Sequence, residues 1–125
     1  MKKFIDSTII SGAFTSNENR ERCQAILAEG GIIDGLVLIE SFDVIERITK
    51  KRDYAMKVIR TLMGSNLEII DIANNVIFEA IKRGNRYNLR VFDLIHYTTA
   101  LINGCSSIVT YDKDFDNLDI PRKEP

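Results

Sequence analysis

Two periods of apolar and polar residues interleave along this chain. Lys3-Phe4-Ile5 is a short apolar run that ends at Asp6 and predicts a strand. Ser7 and Thr8 follow, then Ile9, Ile10 and Gly12. Thr15–Glu18 matches the capping-box pattern T-x-x-E, which predicts a helix over residues 16–28. Ala25, Ile26 and Leu27 give that helix an apolar side, and Gly30-Gly31 stops it. Ile32-Ile33 predicts a second strand and Asp34-Gly35 a break. A helix is expected over 36–49, with Glu40, Asp43 and Arg47 on a polar stripe apart from Leu38, Phe42 and Ile45. After the basic junction Lys50-Lys51-Arg52, another helix is expected over 53–63, closed by Gly64, and a third strand over 67–70. Asp71 is placed to cap a helix reaching Arg83, with Ile72, Val76, Ile77 and Ile81 on its apolar face. Asn85–Asn88 is a polar loop that carries Arg86. The next helix spans about 91–103, with Val91, Leu94, Ile95, Thr98 and Ile102 on one face and Asp93 in its first turn. Ile108 and Val109 read as a buried strand that releases Asp112, Asp114 and Asp116. Asp119-Ile120 is expected as an edge strand, and the charged tail from Pro121 is expected to fray.

Short apolar strands separated by helices imply parallel pairing. The fold class expected is α/β, a three-layer α/β/α sandwich around a central parallel sheet. At 125 residues the chain is long enough for one core, so a single domain over 1–125 is expected. A strand that ends in acids points to a site at the carboxyl edge of the sheet, where open α/β sheets place their ligands.

Net charge of −1 gives no global basic signature, which argues against a pure nucleic-acid-binding module. An enzyme acting on nucleic acid stays open, because an acidic metal site subtracts from the total. No apolar run approaches membrane-spanning length, and the amino terminus lacks a signal-peptide core. A cytoplasmic protein with no membrane partner is expected, with Cys23 and Cys105 as reduced, core-filling thiols.

Four acids stand at element ends or on helix surfaces: Asp6, Glu40, Asp93 and Asp112. Each also has an ordinary structural role open to it: a turn, a solvated helix face, a complement to the helix dipole, an Asp-rich turn. Periodicity alone does not connect them. With one histidine and no His-Cys cluster, a zinc site is not expected, and hard oxygen ligands favour Mg²⁺ or Mn²⁺. No Ser-His-Asp order and no phosphate-binding glycine loop is present.

D-S-T-I-I at 6–10, the Glu of L-V-L-I-E at 36–40, F-D-L-I-H-Y-T-T-A-L at 92–101 and I-V-T-Y-D-K-D-F at 108–115 fall in a telling order. In that order and spacing the chain resembles the PIN domain, most closely the VapC-like toxins of prokaryotic toxin–antitoxin pairs. The resemblance implies Asp6, Glu40, Asp93 and Asp112 as a catalytic and metal-binding quartet, with Asp114 as an auxiliary metal acid. It implies Ser7 or Thr8 and Thr110 as hydroxyls that orient carboxylates. It also implies Mg²⁺ or Mn²⁺ dependence, hydrolysis of RNA phosphodiesters, a cognate antitoxin and a homodimer. Arg86, Arg90 and His96 stand as candidates for contact with RNA, as do Lys50, Lys51 and Arg52. Two other readings compete: a non-catalytic PIN-like domain that binds RNA or protein, and a phosphoacceptor receiver domain. The full set of acids counts against the first. The second calls for paired acids after the first strand, where this chain has Asp6-Ser7.

Overall fold

The computed structural model describes residues 2–125. Five parallel strands form the central sheet: β1 (Lys3–Ile5), β2 (Ile32–Asp34), β3 (Glu68–Ile70), β4 (Ser107–Val109) and β5 (Arg122–Lys123). Six helices connect them: α1 (Ser7–Phe14), α2 (Arg20–Glu29), α3 (Gly35–Thr49), α4 (Arg52–Met63), α5 (Asn74–Lys82) and α6 (Val91–Ile102). The architecture is the expected α/β/α sandwich.

The sheet order is β3-β2-β1-β4-β5, so the winding changes direction between β1 and β4. In register, Phe4 faces Ile108 and Ile5 faces Val109 across that boundary. Strands buried on both faces read as continuous apolar runs, and Phe4, Ile5, Ile33 and Ile108 are completely buried. Ile9, Ile10, Val37, Ile45, Tyr97 and Phe115 complete the core around them.

Several boundaries differ from those expected. The capping box is not used: Thr15 is the C-cap of α1 and its hydroxyl donates to the Ser11 carbonyl at 2.7 Å. The helix assigned to 16–28 therefore starts only at Arg20. Helix α1 itself was not foreseen. Asp34-Gly35 is no break, because Asp34 ends β2 and caps α3, accepting from the Val37 amide at 2.9 Å. Asp71 caps nothing, since α5 begins at Asn74 with Ala73 as its N-cap. On α5, Val76 and Ala80 are buried while Ile81 is exposed. The edge strand is Arg122–Lys123, not Asp119-Ile120, so the tail expected to fray pairs with β4. Ile120 is instead a buried residue whose amide donates to the Tyr97 hydroxyl at 3.0 Å.

Among the described residues, no helix is long and apolar enough to cross a membrane. Cys23 and Cys105 are buried free thiols.

Candidate active site

The winding change opens a crevice at the carboxyl ends of β1 and β4. Asp6 directly follows β1 and is the N-cap of α1, accepting from the Thr8 amide at 3.4 Å. Its amide donates to the Val109 carbonyl at 3.0 Å, which ties it to the end of β4. Two hydroxyls donate to the same carboxylate oxygen, Thr110 at 2.8 Å and Thr8 at 3.1 Å. Those hydroxyls also accept, Thr8 from the Tyr111 amide at 3.2 Å and Thr110 from the Asp112 amide at 2.9 Å. The loop after β4 is thereby sewn to the first turn of α1, and Asp6 is held at 5% exposure.

Asp112 caps a short 3₁₀ turn, Lys113–Phe115, and accepts from the Asp114 amide at 2.9 Å. Phe115 is buried and anchors this turn in the core. Asp112 is half-buried, whereas Asp114 is exposed. Asp93 comes from the first turn of α6 and Glu40 from the second turn of α3.

A cleft of about 310 Å³ is lined by Asp6, Ser7, Thr8, Glu40, Asp93 and Asp112, with Arg90, Val91 and Phe92 on its wall. All four acids of the expected quartet therefore face one space. Oxygens of Asp93, Asp112 and Asp114 lie within 4.8 Å of one another, and so do ligand atoms of Asp6, Glu40 and His96. His96 does not count among the donors to the cleft. It is fully buried, and both ring nitrogens are committed: Nδ1 to Asp34 at 2.7 Å and Nε2 to Glu40 at 2.7 Å.

Charge in this pocket is crowded. Burial pushes the Asp93 carboxyl up to about 6; His96 opposes the rise, while Asp112, Asp6 and Glu40 add to it. Burial pulls the His96 imidazole down, but hydrogen bonds to Asp34 and Glu40 and their charges overcome it and raise the group to about 10. An imidazolium that donates from both nitrogens is the form consistent with two carboxylate partners.

The sequence-based candidates for RNA contact separate here. Arg90 is exposed on the cleft wall. Arg86 faces a neighbouring groove, 3.5 Å from Asp119 and over the Tyr87 ring. His96 has no exposed surface to offer a strand, which corrects its assignment as a contact. The Lys50–Arg52 junction begins ten residues, roughly 15 Å of helix, beyond Glu40, and Arg52 is paired with Glu46. Two features of the site were missed. Asp34, fully buried, holds His96, and Phe92, 55% exposed, stands beside the acids.

Comparison with known proteins is informative at the level of fold and family. A family model described as PIN domain matches residues 3–121. Similar solved structures include Mycobacterium tuberculosis VapC20, described as a sarcin-ricin loop cleaving toxin. It has a TM-score of 0.80 and 11% identity, over 95% of this chain and 96% of that one. A toxin–antitoxin complex from Klebsiella pneumoniae matches with a TM-score of 0.73 and 18% identity, over 96% and 95% of the two chains. VapBC2 from Rickettsia felis, bound to a DNA fragment from its promoter, matches with a TM-score of 0.73 and 17% identity, over 99% and 98%. At such identities these likenesses speak for the fold alone. No curated protein matches the chain in sequence.

Proposed function

The chain belongs to the PIN domain family, and on that premise we propose that it is a metal-dependent endoribonuclease, the toxin of a toxin–antitoxin pair. The observation that carries this reading is the convergence of Asp6, Glu40, Asp93 and Asp112 on one cleft. Carboxylates so close together repel one another unless a cation or a proton lies between them. The donor set is all oxygen, which suits Mg²⁺ or Mn²⁺ rather than zinc. When bound, such an ion supplies Lewis-acid polarisation of a phosphodiester and lowers the pKa of water at the site.

The chain's own residues do the rest. Thr8 and Thr110 fix the Asp6 carboxylate before any ligand arrives. Asp112 has its backbone fixed at the end of β4, so it serves as a direct ligand. Asp114, exposed and on the 3₁₀ turn, serves at one remove. Asp93, raised to about 6 but largely ionised at neutral pH, would join them in holding the cation. Arg90 offers a positive charge to the phosphate backbone, and Phe92 offers a face for a base to stack on. Two of the similar structures are toxin complexes, one of them with its partner on promoter DNA, and this supports an antitoxin for this chain as well.

The test is cleavage of a mixed RNA and DNA panel by the full chain, with Mn²⁺ and with chelator. RNA cleavage that chelator abolishes is expected. Asp112→Asn should be nearly inactive, and Asp114→Asn lower by about 10–100-fold. If RNA survives while Mn²⁺ binds normally, the domain is a binding module instead. If Asp114→Asn is the dead variant, the two acids exchange roles.

A further inference from the structure

Glu40 sits on α3 and Asp93 on α6, and no backbone hydrogen bond fixes the distance between these two helix-borne acids. A side-chain bridge joins the helices instead. Asp34, at the N-cap of α3, accepts from the Val37 amide with Oδ1 and engages His96 Nδ1 at 2.7 Å with Oδ2. His96, one turn along α6 from Asp93, reaches Glu40 Oε1 with Nε2 at 2.7 Å. Asp34 and His96 are both fully buried. Each carboxylate oxygen of Asp34 therefore has one task, one in holding α3 and one in holding α6. Among the described residues, Glu40 Oε2 makes no hydrogen bond, which leaves it as the oxygen available to the cleft.

We propose that Asp34 and His96 are positioning residues, a buried carboxylate–imidazole bridge that aims Glu40 into the cleft and sets its spacing from Asp93. The proposal rests on the reading of the quartet as a cation site, and it assigns His96 a place behind a ligand rather than among the ligands. A histidine ligand must present a bare nitrogen lone pair to the ion, and neither ring nitrogen is free to do so. The arrangement is that of an outer partner fixing a first ligand, whose loss typically costs about 10–100-fold in metal affinity.

Two substitutions divide the bridge. His96→Gln places an amide nitrogen near the position of Nε2 and keeps a donor for Glu40. His96→Asn places one near Nδ1 and keeps a donor only for Asp34. Mn²⁺ affinity of the full chain is measured by calorimetry, with the melting temperature of the metal-free protein as the control for folding. Expected is a loss of about 10–100-fold for His96→Asn, which leaves Glu40 unheld, and a smaller but measurable loss for His96→Gln, which holds Glu40 without the support of Asp34, both variants folded. Wild-type affinity in either variant, or a larger loss in His96→Gln than in His96→Asn, would overturn the proposal. Wild-type protein that takes up no Mn²⁺, or Asp6→Asn that binds as well as wild type, would defeat the quartet reading and this inference with it.

Discussion

Asp93 and His96 lie one turn apart on α6, and burial acts on them in opposite directions. Asp93 titrates near 6 in the fold against an ordinary 3.8, so the folded state favours its protonated form. That contribution is complete below 3.8 and is lost as pH rises through about 6. His96 titrates near 10 against an ordinary 6.5, so its contribution is complete below 6.5 and is lost as pH rises through about 10. Both act in the same sense, and the metal-free protein should lose thermal stability steadily from mild acid to pH 10. Asp93→Asn should flatten the acid part of that profile. A metal-free melting temperature that climbs between pH 5 and 10 would contradict it. The acids were legible one by one in the sequence, whereas the residues behind them were not. Asp34 precedes Gly35, a pair that reads as a turn, and it lies 62 residues from His96, so no local pattern joins them. A usable signal did exist. No Asp, Glu, Lys or Arg occurs between Asp93 and Asp112, and a helical stretch without a charged face points to burial. Under that rule His96 belonged to the interior from the start.

Helix α1 shows how packing overrides propensity. Ser7, Thr8, Ser11 and Gly12 are poor helix formers, which hid the helix from inspection of the sequence. Ile9, Ile10 and Ala13 are buried and supply the stabilisation that propensity lacks. Gly12 has a separate reason to be small. A Cβ there would meet Cys23 Sγ, on α2, at 2.7 Å. Gly12→Ala gains about 1 kcal/mol in helix propensity, but overpacking a buried contact costs about 1–3 kcal/mol. A lower melting temperature is expected for Gly12→Ala, with recovery in the Gly12→Ala/Cys23→Ala double variant. A Gly12→Ala protein more stable than wild type would reject this account of the α1–α2 contact. Strand β5 was hidden for a different reason. At two residues it is too short to carry a period, and it is held by Arg122, whose guanidinium donates to the Thr110 carbonyl at 3.1 Å and bonds Asp116 and Glu124.

At the scale of the whole molecule, the alternation of short apolar runs with longer periodic ones marked β1 to β4 and α2 to α6, but neither α1 nor β5. The surface did not follow as closely. On α4, Ala55, Val58 and Leu62 are buried and Met56 and Met63 are left exposed. More surplus lies on α5 and α6, where Phe78, Ile81, Val91, Phe92 and Ile102 are each more than half exposed. We propose that the free protein is a homodimer that covers part of this surface. Light scattering should return twice the chain mass, and Phe78→Glu with Ile81→Glu should lower it. The monomer mass for wild type at every working concentration would reject the dimer. One further consequence concerns the order in which the molecule is made. The hydrogen bond from Thr110 to Asp6 joins residues 104 positions apart. A ribosome adding about 5–20 residues per second joins Asp6 to the chain roughly 5–20 s before Thr110. Through that interval the first acid has Thr8 but neither the Thr110 hydroxyl nor Asp112 beside it. Arg122, which grips the Thr110 carbonyl, arrives later still. The cleft is therefore completed late: a nascent chain short of residues 110–122 carries Asp6, Glu40 and Asp93 without the frame that holds the first of them.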